Sequence, residues 1–134
     1  MKYDRKGEDM ILNMKDLLEV AKDKGFAVPA FNISDYSMFN GIMEVCEEKN
    51  APVIIAIHPD ELRHITSEMV KGIRERIINS NIPAVIHLDH GASIDQIMKA
   101  NSHAFLHILT LSSYCNNDPS IITDVNPACM AFII

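Results

Sequence analysis

The 134 residues, 48% of them hydrophobic and 22% charged, are enough for one ordinary globular domain. A formal net charge of −6 argues against nucleic acid or an anionic membrane as a general partner, because both select a basic face. No stretch reaches the roughly 20 consecutive apolar residues that a bilayer-spanning helix needs. Cys46, Cys115 and Cys129 have neither paired nor metal-like spacing and read as reduced thiols of a cytoplasmic protein.

The polar residues 1–9 lack the apolar stretch of a secretory signal and are expected to form a disordered extension before Met10. A first helix follows, with Met14, Leu17, Leu18 and Ala21 at helical spacing, Asn13 as N-cap and Gly25 as stop. Residues 27–31 read as a strand, although Pro29 removes one ladder donor. Phe39, Ile42, Met43 and Cys46 give a second helical stripe behind the capping residues Ser34 and Asp35, with Cys46 in the core. The continuous apolar run 53–57 is a strand covered on both faces, and the polar His58-Pro59-Asp60-Glu61 follows it. Val70, Ile73, Arg74 and Ile77 mark a third helix, opened by Thr66, Ser67 and Glu68.

A third buried strand, 84–88, runs directly into Asp89, His90 and Gly91. Ser93 and Gln96 then form a capping-box pair ahead of Ile97 and Met98. Residues 104–111 read as a fourth strand. Beyond it, 114–127 mixes turn formers without a helical period, and the chain closes on the apolar Phe132-Ile133-Ile134. Helices alternating with strands predict an α/β fold on a parallel sheet. Each of the three clear strands turns polar at its end: Asn32, then His58 to Glu61, then Asp89 and His90. Strand ends that carry the polar groups belong to the catalytic face of a (β/α) barrel. The fold class expected is therefore a partial TIM barrel of the first three to four βα units. About 250 residues make a complete one.

Asp89 beside His90 is a workable constellation for proton transfer next to a metal-polarised carbonyl, with Gly91 relaxing the backbone so that both side chains reach one site. The alternative is that Asp89 caps the next helix and His90 lies in the loop.

Asn13-Met14-Lys15-Asp16-Leu17-Leu18, Phe26-Ala27-Val28-Pro29-Ala30-Phe31-Asn32, Ala51-Pro52-Val53-Ile54 and Ile82-Pro83-Ala84-Val85-Ile86-His87-Leu88-Asp89-His90-Gly91 together resemble the N-terminal part of the class II, zinc-dependent fructose-bisphosphate and tagatose-bisphosphate aldolases. The resemblance spans residues 10–100. It implies a TIM barrel that cleaves a ketose 1,6-bisphosphate to dihydroxyacetone phosphate and glyceraldehyde 3-phosphate. It also implies Asp89 as the acid/base, His90 as one of three zinc-binding histidines and Asn32 in the substrate pocket.

Residues 101–134 carry no motif of that family and are expected to be a divergent or frameshifted tail. Two zinc histidines and the phosphate-binding loops of the family lie further along its barrel, so this chain is expected to be a fragment without turnover. Two other readings are a non-catalytic fragment that associates with itself or with an aldolase, and a decayed reading frame. A substitute metal cluster of His58, His87 and His90 is weighed against loop positions for His58 and His64 and a packed position for His87. His103 and His107 sit in strand-like sequence, and Asp60-Glu61 is a second acid/base candidate weighed against a pair that caps or solvates a loop. Val28, Ile54 and Ile86 are expected on an inner face that three or four strands cannot close over, which favours homo-oligomers.

Overall fold

The computed structural model describes residues 10–90 together with the backbone of His107 and Ile108. The expected disordered extension 1–9, the helix opened by Ser93 and nearly all of 101–134 lie outside the described residues.

Helix α1 covers Met14–Lys24. The Asn13 side chain accepts the Asp16 amide at 2.8 Å, and Gly25 ends the helix at φ 67°, a conformation that costs glycine little. Strand β1 is Ala30–Asn32, helix α2 Tyr36–Lys49 and strand β2 Val53–Ile57. A 3-10 helix, Pro59–Arg63, leads to helix α3, Ser67–Ile78. Strand β3 is Ala84–Leu88, and β4 is His107–Ile108. Asp35 and Thr66 cap α2 and α3 by accepting the amides of Met38 and Met69.

The strands form one parallel sheet in the order β1-β2-β3-β4, with Ile54 opposite Val85 and His87 opposite both Ala56 and His107. Sequential parallel neighbours joined by helices are how a (β/α) barrel starts. Strand β1 begins later than the 27–31 expected. Pro29 has no N–H to give to a ladder, although its carbonyl still accepts the Ile54 amide at 2.9 Å.

Alternation sorts the core into two faces. Val53, Ile55, Ile57, Ala84, Ile86 and Leu88 face the helices and pack with Phe39 and Met43 of α2 and Val70, Ile73 and Ile77 of α3. Each of these side chains larger than alanine contributes about 1.5–3 kcal/mol by leaving water. Ile54 and Val85 point the other way, against Leu17 of α1 and Val28. Ile86 therefore belongs to the helix-facing layer and not, as the sequence suggested, to the inner face with Ile54 and Val28. Its register partner is Ile55, one residue out of phase with Ile54.

The inner face is stoppered near the strand starts. Ile11 bridges to Ala84, and the Leu12 amide donates to the Ala84 carbonyl at 3.0 Å, so α1 lies across the beginnings of β2 and β3. Apolar packing occupies that rim and polar side chains occupy the other. Between α2 and α3, the two terminal guanidinium nitrogens of Arg76, Nη1 and Nη2, donate to Glu47 at 2.7 Å, and Ser80 Oγ donates to the same carboxylate at 2.6 Å. The Arg76 hydrogen bonds, with a smaller contribution from Ser80, hold the Glu47 carboxyl below its ordinary range, although burial opposes them.

Candidate active site

Asn32 ends β1, and Asp89 follows β3. The two strands are not neighbours, since β2 lies between them. Asp89 nonetheless stays in the sheet, because its amide donates to the Ile57 carbonyl at 2.9 Å and carries the ladder one residue past Leu88. Parity then decides the direction of its side chain. Asp89 alternates with His87 and Val85 on the inner face, and Asn32 pairs with Ala56 of the same face. Their side chains meet there, with Asn32 Nδ2 donating to Asp89 Oδ2 at 3.0 Å.

The other carboxylate oxygen, Oδ1, lies 3.6 Å from His90 Nε2. Asp89 thus stands between an amide donor and an imidazole, with its side chain 24% exposed. A carboxylate held from one side and open to solvent on the other can take a proton from a hydroxyl that enters the rim. The helix that Asp89 would cap in the alternative role lies outside the described residues.

His90 reaches this position through a left-handed backbone, φ 69°. A non-glycine residue pays roughly 1–2 kcal/mol for that conformation, and such residues cluster where a site dictates the backbone. The sequence reading assigned the turn to Gly91; the left-handed residue is His90 itself, and Gly91 lies outside the described residues.

His58 and His90 come together, their rings edge to face with centroids 5.8 Å apart. The substitute cluster of three histidines does not form. Among the described residues no group of three or more His, Cys, Asp or Glu side chains is placed to hold a metal ion. His58 is committed to the chain: its Nδ1 accepts the Asp60 amide at 3.3 Å and caps the 3-10 helix, with Pro59 at the first position. His87 is buried at 8% exposure in the sheet, the packed position weighed for it above. His90, the zinc ligand that the resemblance implies, stands beside Asp89 at the strand end. Asp60 and Glu61 lie in the first turn of the 3-10 helix rather than in a loop. That turn was the feature the sequence reading missed; proline directly after a capping side chain was its signal.

An open cleft of about 330 Å³ adjoins the pair, lined by Asn32, Ile33, Ser34, Met38, His58 and Glu61.

The sequence model of the class-II fructose-bisphosphate aldolases matches residues 12–116. The chain belongs to that family. The match runs past residue 100, where the recognisable motifs stopped, and takes in β4. A fructose-bisphosphate aldolase of Staphylococcus aureus (strain Mu50) is 30% identical over 118 residues, an alignment covering 84% of this chain and 41% of the relative. The chain thus spans well under half the length of that curated relative. Among solved structures, a putative fructose-1,6-biphosphate aldolase from Coccidioides immitis aligns with TM-score 0.75 at 21% identity, over 90% of this chain and 49% of that one. The YdjI aldolase from Escherichia coli K12 aligns with TM-score 0.69 at 23% identity, over 75% and 38%. These structures bear on the fold alone: the helices and parallel strands of this chain match the α/β arrangement of those neighbours. No helix among the described residues is long and apolar enough to cross a membrane.

Proposed function

We propose that this chain supplies the acid–base part of a class II ketose-1,6-bisphosphate aldolase site. The reaction is retro-aldol cleavage of fructose or tagatose bisphosphate to dihydroxyacetone phosphate and glyceraldehyde 3-phosphate. The observation that carries the reading is the Asp89 carboxylate, fixed by Asn32 on one oxygen and flanked by His90 on the other. In cleavage the carboxylate accepts the proton of the C4 hydroxyl. The O–H pair becomes the aldehyde C=O as the C3–C4 bond breaks, and the electron pair of that bond passes to C3. Asp89 then returns the proton to C3. Asn32 positions the carboxylate for both transfers.

His90 is the proposed zinc ligand of the described residues, and family membership supports zinc as the cofactor. The ligands that complete the metal site, and the groups that anchor two phosphates, are proposed to come from outside the described residues. A net charge of −6 supports a protein without nucleic-acid or anionic-membrane partners; a cytoplasmic location and a homo-oligomeric assembly are proposed with it. Without a completed site, the 134 residues alone are proposed to lack turnover.

The experiment is a hybrid. Residues 12–116 of this chain replace the matched segment of the Staphylococcus aureus aldolase, and zinc-dependent release of dihydroxyacetone phosphate is assayed from both bisphosphates. Turnover of either sugar supports the reading. A folded, zinc-loaded hybrid inert toward both contradicts it.

A further inference from the structure

Helix α2 carries two apolar stripes. Phe39, Met43 and Cys46 form the one that faces the core. The side toward α3 is marked by Glu47, which holds Arg76, and by Tyr36, whose ring lies 3.8 Å from where a Cβ on Gly72 would stand. The opposite side carries Met38, Ile42 and Val45, spaced i, i+4 and i+7 on one face. Met38 is 44% and Val45 56% exposed, and Ile42 is only partly buried. This flank is open because β1 is the outermost described strand beside β2. Phe31 of β1 pairs with Ile55, so parity turns it to the helix layer, yet it stays 43% exposed.

Charge identifies what fits the flank. Asp35, seven residues before Ile42, and Lys49, seven after it, continue the stripe at its two ends, and both are exposed. Asp35 Oδ1 accepts the Met38 amide. Lys49 Nζ stands 3.0 Å from Glu48, but those side chains are 67% and 71% exposed, and a surface pair of that kind is easily exchanged. An acidic start, an apolar middle and a basic end make a strip that complements itself when turned end over end. A second α2 laid antiparallel over the first, centred on Ile42, brings Lys49 of each copy to Asp35 of the other. Val45 of each copy then comes toward Met38 of the other. Parallel helices would set like charges together instead. Gly41 borders the strip with open space where a Cβ would stand, which lets a second backbone approach closely.

We infer that the Met38, Ile42 and Val45 flank of α2 is a self-association surface, and that its occupant is the same flank of a second copy of this chain, antiparallel about a two-fold axis near Ile42. Such an interface closes at two copies. The strip is only about 21 Å long at 1.5 Å per residue, small beside the interfaces of permanent dimers, so the dimer is reversible and depends on concentration. The inference does not rest on the aldolase reading, and it gives the proposed homo-oligomer a defined surface.

Sedimentation velocity of the full 134-residue chain over a protein concentration series is the test. A reversible equilibrium between monomer and dimer is expected. Val45→Glu, at an exposed position, should weaken the dimer at least about tenfold by setting a charge in the apolar seam. Lys49→Glu should weaken it about threefold or more at low salt, and adding Asp35→Asn, which keeps the helix cap, should recover part of that loss. The charge variants read the surface independently of Val45→Glu, and a thermal melt of each variant checks that the fold is kept. A chain that stays monomeric, as it would if residues 91–134 covered the flank, would overturn the inference. So would association that grows past the dimer, or a dimer indifferent to Val45→Glu or to the charge reversal. None of these readings depends on turnover, so the surface can fail while the hybrid enzyme works, and the reverse.

Discussion

Asn32 and Asp89, separated by 57 positions in sequence, are joined by one hydrogen bond of 3.0 Å across the ends of two strands that do not touch. The bond exists because β2 sets both neighbours in register. Asn32 pairs with Ala56, and Asp89 donates its amide to Ile57. The sheet thus works as a ruler that brings an amide and a carboxylate to one point on the inner face.

Removing that bond is expected to cost activity more than stability, since both groups lie at the rim. In the hybrid aldolase, Asn32→Ala should lower kcat by about 10- to 100-fold, the equivalent of about 1.5–3 kcal/mol for a hydrogen bond to a charged group. Stability should change little. Steady-state kinetics beside a denaturant melt separates the two, and an Asn32→Ala hybrid with unchanged kcat would remove Asn32 from the mechanism.

His90 offers a prediction of opposite sign. Its φ of 69° is strained for any residue with a Cβ and relaxed for glycine. His90→Gly should therefore stabilise the fold by up to about 1 kcal/mol while deleting the imidazole, whereas His90→Ala should not stabilise it. Urea unfolding of the two variants side by side makes the comparison. Equal midpoints would mean that the left-handed turn is not retained in solution.

The clasp between helices is a matter of folding. Glu47 and Arg76 are 22% and 30% exposed, and their bidentate geometry resists screening better than an ordinary surface pair. Arg76→Ala should cost about 1–2 kcal/mol. The pH dependence follows from the lowered Glu47 value, caused first by the Arg76 hydrogen bonds. A carboxyl depressed by folding contributes stability that is present above its unfolded value, near 4.5, and lost as pH falls through the folded value. The stability gap between the wild type and Glu47→Gln should thus be full at pH 7 and shrink below about pH 4.5. Chemical denaturation across pH 3–7 tests this, and a gap that does not depend on pH would assign the clasp no electrostatic part.

Much of the architecture was legible because it is local. The stripes of α1, α2 and α3, their caps at Asn13, Asp35 and Thr66, and the strands 53–57 and 84–88 each follow from spacing and capping chemistry within a few residues. The place of Asp89 at a strand end was legible for the same reason. Its contact with Asn32 depends on register across three strands, which the sequence expresses only through the barrel it implies. The role of His58 was not legible, because a histidine that caps a 3-10 turn has the same spacing as one that waits for a metal. Ile86 was assigned to the wrong face because a strand buried on both sides loses the alternation that tells in from out.

The central claim is that Asp89 moves the proton, and the hybrid aldolase tests it most directly through Asp89→Asn. This change keeps the volume and a partner for Asn32 but removes the base. The account predicts a fall in kcat of at least about 100-fold, with zinc content unchanged because His90 is the proposed ligand. An Asp89→Asn hybrid that kept its zinc and cleaved either bisphosphate at a rate within about threefold of its parent would contradict it.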